Sequence, residues 1–248
     1  MKYRKLAFGL AFFSLAVASQ FAVATATRKP EAQSTKFTVR VENISSAEGQ
    51  TAADGTRWPF ALSPGMFVLS EKSGVLFTEN KRVRGNGLEA QAEDGNPEGL
   101  VSSLERMHHA SDLHGIFNTP VGTMGPGPIG PGAAYEFTFT AAPKMKLFMV
   151  LMFGQSNDLF YAPAANGIAL FDAKGMPTNG EVTEQLILWD AGTEVNEEEG
   201  VGPNQAPRQM GPNTGAAEGS VVKRARNVRF YEKNGELFRV TVTPAAAM

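Results

Sequence analysis

Two stretches of the chain alternate apolar and polar residues. Phe37, Val39 and Val41 interleave with Thr38, Arg40 and Glu42, and Tyr135, Phe137 and Phe139 interleave with Glu136, Thr138 and Thr140. A period of two puts one row of side chains in a core and the other in water, as in a half-buried strand. Leu147 to Phe153 is instead nearly continuously apolar, which suits a strand buried on both sides. Met66 to Leu69, Val75 to Phe77, Ile168 to Phe171 and Leu186 to Trp189 read as shorter strands, and Phe238, Val240 and Val242 close the sheet. Asn234-Gly235 ahead of that last run predicts a type I′ hairpin, whose two central residues both need positive φ. Helical spacing occurs at about residues 97–109, where Leu100, Val101, Leu104 and Met107 follow Pro97-Glu98. Val121 to Gly132 is rich in Pro and Gly and has no period, so it predicts a surface loop.

Many short strands punctuated by Gly and Pro predict an all-β fold, an antiparallel β-sandwich with one short helix and long loops. No repeat of fixed period appears, and residues 36–248 read as one domain. Ahead of it, residues 27–35 are polar, contain Pro30 and read as a flexible lead-in. The first residues, Met1-Lys2-Tyr3-Arg4-Lys5, are basic, and Leu6 to Ala18 is apolar apart from Ser14. Ala22-Val23-Ala24 and Ala24-Thr25-Ala26 are small-x-small cleavage sites, so residues 1–26 read as a signal peptide. The apolar run is too short to span a bilayer, and no membrane span is expected once the leader is removed. A secreted or periplasmic protein follows.

Composition narrows the function. With no cysteine, neither a disulfide nor a lipid-modified cysteine is available. Without Lys2, Arg4 and Lys5, the 23 basic residues fall to 20 against 25 acidic ones, a mature net charge of −5. That balance, without a basic stripe, lacks the footprint that neutralises phosphates, so no nucleic acid is expected as partner.

Candidate chemistry gathers where two strands end. The run ending in Trp189 stops at Asp190, and Ala191-Gly192-Thr193 turns the backbone before Glu194. The run ending in Phe153 leads through Gly154-Gln155-Ser156-Asn157 to Asp158. Carboxylates on neighbouring loops, supplemented by carbonyls and water, are a usual way to build a Ca²⁺ site. Each acid can equally well cap its own turn.

The blocks Phe153-Gly154-Gln155-Ser156-Asn157-Asp158 and Trp189-Asp190-Ala191-Gly192-Thr193-Glu194, with Gly200 to Arg208 after them, resemble the spondin domain, found in F-spondin and in stand-alone bacterial proteins. The similarity covers most of the mature chain. It implies a C2-like β-sandwich that holds Ca²⁺ with Asp158, Asp190 and Glu194. Animal members commonly carry Asp where this chain has Glu194, and they add cysteines and further domains. What the resemblance implies is a module for interaction or adhesion, non-catalytic, with a protein or glycan partner at the cell envelope or outside the cell.

Other readings compete with it. Gly154-Gln155-Ser156-Asn157 also resembles the nucleophile block of Gly-Asp-Ser-Leu esterases, which would make the protein a secreted serine hydrolase using Ser156. No histidine follows His114, so the base would come from upstream. His108, His109 and His114 are close enough in sequence to raise a zinc site, or to cap the end of the helix. Glu197-Glu198-Glu199 reads as a solvated face and Trp189 as core. Arg208 is expected to pair with a loop carboxylate, and Lys223, Arg224, Arg226 and Arg229 to face solvent from a late strand.

Overall fold

In the computed structural model, which describes residues 34–83, 85–107, 113–230 and 233–246, the alternating stretches become neighbouring strands. Phe37, Val39 and Val41 of β1 (Thr35–Asn43) are fully buried, while Thr38, Arg40 and Glu42 lie on the opposite, wetter face. The strands that follow are β2 (Gln50–Thr51), β3 (Arg57–Trp58) and β4 (Leu62–Ser70), ahead of the helices α1 (Leu88–Asp94) and α2 (Glu98–Arg106). Next come β5 (Leu113–Phe117), β6 (Ala134–Ala141), β7 (Lys146–Phe153), β8 (Leu159–Pro163) and β9 (Ile168–Ala169). The chain ends with β10 (Gly180–Glu181), β11 (Leu186–Asp190), β12 (Lys223–Arg224), the single turn α3 (Asn234–Leu237) and β13 (Phe238–Pro244).

These strands build two main antiparallel sheets. One has the order β10-β13-β1-β6; the other has the order β12-β11-β8-β7-β4-β5, with β9 added beside β7. In the first, Val39 sits between Phe137 and Val242, so three inward rows are in register. Its outer face is polar, and Arg40 there reaches Glu42 at 3.0 Å and Glu136 at 3.3 Å.

The second sheet is covered on both faces, which explains the unbroken apolar run of β7. Leu147, Met149, Leu151 and Phe153 face the first sheet. Phe148 and Val150 face outward into a second cluster with Met66, Phe160 and Trp189, and α1 and α2 close it with Leu88, Ala92, Leu100 and Leu104. Aromatic rings join the two sheets: Phe137 stacks between Phe67 at 4.7 Å and Phe117 at 4.8 Å. Fully burying one such side chain contributes about 1.5–3 kcal/mol.

The fold is the expected all-β sandwich, and the expected helix forms as α2, within the span read from the sequence. A second helix, α1, was not expected. It is only seven residues long, with Leu88 and Ala92 as its apolar pair, too few turns for a period to show. Gly87 begins it at φ 92°, and a Cβ there would come within 2.2 Å of the Gly99 backbone, so α1 and α2 meet main chain to main chain. Strand β8 is also new; it follows the Asp158 turn and is buried along its whole length.

Three expectations of local structure are corrected. Asn234-Gly235 makes no type I′ hairpin: neither residue has positive φ, and both belong to α3. The Asn234 amide donates instead to the carbonyl of Leu186, and β13 pairs with β1 and β10. Val75 to Phe77 is irregular rather than a strand, because it lies across the outer face as a cover; the Phe77 ring meets Phe160 at 5.2 Å and Trp189 at 5.0 Å. Ile168 to Phe171 pairs with β7 only through Ile168–Ala169; the Asp172 to Met176 turn then reverses the chain, and Phe171 bridges Pro177 across it. The expected signal peptide and most of the expected lead-in lie outside the described residues. Among the described residues, no helix is long and apolar enough to cross a membrane.

Candidate metal centre

The ends of β8 and β11 do meet. Their register pairs Leu159 with Asp190, so Asp158, one residue before β8, lies beside the last residue of β11. The turn that delivers Asp158 is held by Ser156, whose hydroxyl donates to the Phe153 carbonyl at 2.6 Å and accepts the Leu159 amide at 3.2 Å. Asn157 ties this turn to the following loop. Its Nδ2 donates to Glu194 Oε2 at 3.2 Å, and its Oδ1 accepts the Glu197 amide at 3.0 Å.

Asp158 is 0% exposed. Its Oδ2 accepts three hydrogen bonds, from the Thr193 amide at 2.8 Å, the Thr193 hydroxyl at 3.1 Å and the Glu194 amide at 3.1 Å. Its Oδ1 is buried and has no partner. Asp190 is almost as buried; its Oδ1 accepts the Gly192 amide at 2.7 Å, and its Oδ2 accepts Asn196 Nδ2 at 2.8 Å. Burial, reinforced by the charge of Asp190, pushes the Asp158 carboxyl up to about 7, against the pull of the Thr193 and Glu194 hydrogen bonds.

The third oxygen comes from Glu218, which belongs to neither of the two sequence blocks. Carboxylate oxygens of Asp158, Asp190 and Glu218 all lie within 4.8 Å of one another. Residues 215–222 run antiparallel to the Gly192–Val195 turn, with Val195 N bonded to Ala216 O, Glu218 N to Thr193 O and Ser220 N to Gly192 O. Gly192, at φ 70°, allows this contact; a Cβ there would lie 2.7 Å from the Val221 carbonyl. Glu194, the expected third ligand, is turned elsewhere. Its two carboxylate oxygens accept from Asn157 and from the Gly215 amide at 2.8 Å, while only its backbone serves Asp158.

A further acid stands behind the cluster. Glu93 of α1 is 2% exposed, and neither of its oxygens has a partner. Burial raises its carboxyl to about 7; the nearby Thr193 side chain offsets this in part, and the charges of Glu194, Glu89 and Asp158 add to it. The Thr193 hydroxyl donates to Asp158, not to Glu93. In sequence Glu93 is an ordinary helical glutamate, and Glu218 stands in an aperiodic stretch 24 residues after Glu194. Neither carries a local signal.

Three clustered carboxylates with one orphaned buried oxygen offer the hard oxygen donors that a hard cation takes. The residues present therefore fit a metal ion.

The other candidates fall out differently. Ser156 is buried and engaged with main-chain groups. His108 and His109 lie outside the described residues, and His114 Nε2 stands 3.9 Å from Glu105. Trp189 is core, its indole N–H donating to the Ala162 carbonyl at 3.0 Å. Arg208 bonds Gln155, Gln205 and the Gly202 carbonyl rather than a carboxylate, because the 197–209 loop turns amides inward there. Glu197 holds that loop by accepting from Asn204. Away from the acids, a cleft of about 580 Å³ is lined by buried Leu88 and Val222 and by exposed Lys81 and Arg82.

Compared with protein-family models and with curated proteins, the chain finds no match in either.

Proposed function

We propose that this protein is an exported calcium-binding β-sandwich module that acts by interaction or adhesion, with a protein or glycan partner at the cell envelope or outside the cell. The observation that carries the calcium reading is Asp158 Oδ1, a buried carboxylate oxygen without a partner, beside Asp190 and Glu218. Leaving such a group unpaired is costly, and a divalent cation relieves it. Calcium suits an all-oxygen pocket of irregular shape better than magnesium, which demands near-octahedral geometry. When bound, the ion neutralises the clustered carboxylates. This chain's own residues hold the loops in place: Asn157 bridges the Asp158 turn to residues 194–197, and the 215–222 segment closes over Gly192. The resulting end of the sandwich is a preformed surface on which a partner can dock. The engagement of the Ser156 hydroxyl with Phe153 favours a structural role for that serine over a nucleophilic one.

Thermal unfolding with calcium and with chelator tests the reading. An ion at a hundred times its dissociation constant stabilises the fold by about 2.7 kcal/mol. The melting temperature should rise accordingly, and Asp190→Asn should remove the shift. Equal melting temperatures with and without calcium would sink the site.

A further inference from the structure

The acid cluster already contains one cation of the protein's own. Asp190 and Lys223 are directly paired across β11 and β12. The Lys223 Nζ lies 2.6 Å from Glu218 Oε1 and 3.4 Å from Asp190 Oδ2, so it bridges two of the three carboxylates. Arg224, the next residue, points the other way, to the Trp189 ring and Glu79. Asp158 Oδ1 stays without a partner although Lys223 is in place, so the ammonium does not complete the pocket.

Building on the calcium reading, the geometry points to Lys223 as an internal competitor that must leave Asp190 and Glu218 for a metal ion to bind, and that thereby sets the affinity of the site and restricts it to divalent ions. A calcium ion takes its oxygens at about 2.3–2.6 Å, so ligands of one ion lie at most about 5 Å apart. Oxygens of the two carboxylates that Lys223 bridges fall within that span, and ammonium and ion would share one pocket. Like charges repel at that range, and the lysine has a way out: its side chain is 39% exposed and its long stem can swing to water. Three carboxylates against one ammonium leave negative charge uncompensated. A divalent ion supplies more charge than the lysine it displaces. A monovalent ion supplies no more and still has to shed its water.

Calcium titration of the metal-free full chain by calorimetry tests this on wild type, Lys223→Met, Lys223→Arg and Asp190→Asn. Lys223→Met should bind calcium about tenfold more tightly than wild type, while Lys223→Arg, which keeps the charge, should stay within about threefold of it. Sodium should weaken calcium binding to Lys223→Met more than to wild type. In chelator Lys223→Met should melt below wild type, and in saturating calcium the difference should close; a purely structural role would leave it open. If Lys223→Met folds poorly, Lys223→Gln gives the same reading. Should wild type bind calcium and lose it on Asp190→Asn, while Lys223→Met binds no more tightly, the competitor role is overturned and the calcium site stands. Calcium binding to neither wild type nor Lys223→Met overturns both.

Discussion

Replacing Glu93 by glutamine should stabilise the metal-free protein, and by an amount that depends on pH. Glu93 is 2% exposed, has no hydrogen-bond partner on either oxygen, and sits near Asp158 and Glu194. It also lies in the last turn of α1, the negative end of the helix dipole, which disfavours a second negative charge. Its carboxyl rises from the ordinary 4.5 to about 7 in the folded chain. Between those values the folded state holds a proton that the unfolded state has lost, so this group's contribution to stability falls as pH rises and levels off above about 7. A change of that size corresponds to roughly 3 kcal/mol, an upper bound because the neighbouring carboxylates titrate with it. Glutamine has the same shape and cannot ionise. Urea unfolding in metal-free buffer should therefore show Glu93→Gln close to wild type near pH 5 and more stable by up to about 3 kcal/mol near pH 8. A variant destabilised equally at both pH values would show instead that the carboxylate has partners and is not an unpaired buried acid.

Further outcomes follow from the same contacts. Glu218→Gln should weaken calcium binding with little effect on metal-free stability, whereas Glu194→Gln should lower stability by about 1–2 kcal/mol by disturbing its bonds to Asn157 and Gly215, as read by paired calorimetry and urea unfolding. Trp189→Ala should cost about 3–5 kcal/mol in urea unfolding, because it empties the cluster between the second sheet and its helical cover. Gly87→Ala should destabilise by more than 1 kcal/mol, about the ordinary penalty for Ala at positive φ, since its methyl also meets the Gly99 backbone; a neutral result would mean that α1 and α2 are not in contact there.

The fold was legible where one physical pattern decides local structure. Alternation in β1 and β6 and the unbroken run of β7 report directly which faces are buried, so the layers could be read before any contact was known. Where several structures satisfy the same local pattern, tertiary contacts decided. Asn234-Gly235 suits a tight hairpin, yet the Asn234 side chain is drawn to the Leu186 carbonyl, 48 residues away, and the backbone turns as a helix. Val75 to Phe77 has strand-like residues, but Phe77 is used as a lid over Trp189. The candidate metal site divides in the same way. Asp158 and Asp190 stand at strand ends and announce themselves by position. Glu218 arrives only because residues 215–222 pair with the Gly192 turn, and that pairing is made by main-chain groups that no side-chain pattern reports. Glu194 looked like the natural third ligand because it closes the block that starts at Asp190, and the structure gives its carboxylate to Asn157 and Gly215.

The unpaired Asp158 oxygen marks the proposed place of the ion. Calorimetric titration of calcium into the metal-free chain, repeated on Asp158→Asn, tests that claim most directly. One ion per wild-type chain and none in the variant is the predicted result. No binding by wild type, or binding unchanged in Asp158→Asn, would contradict it.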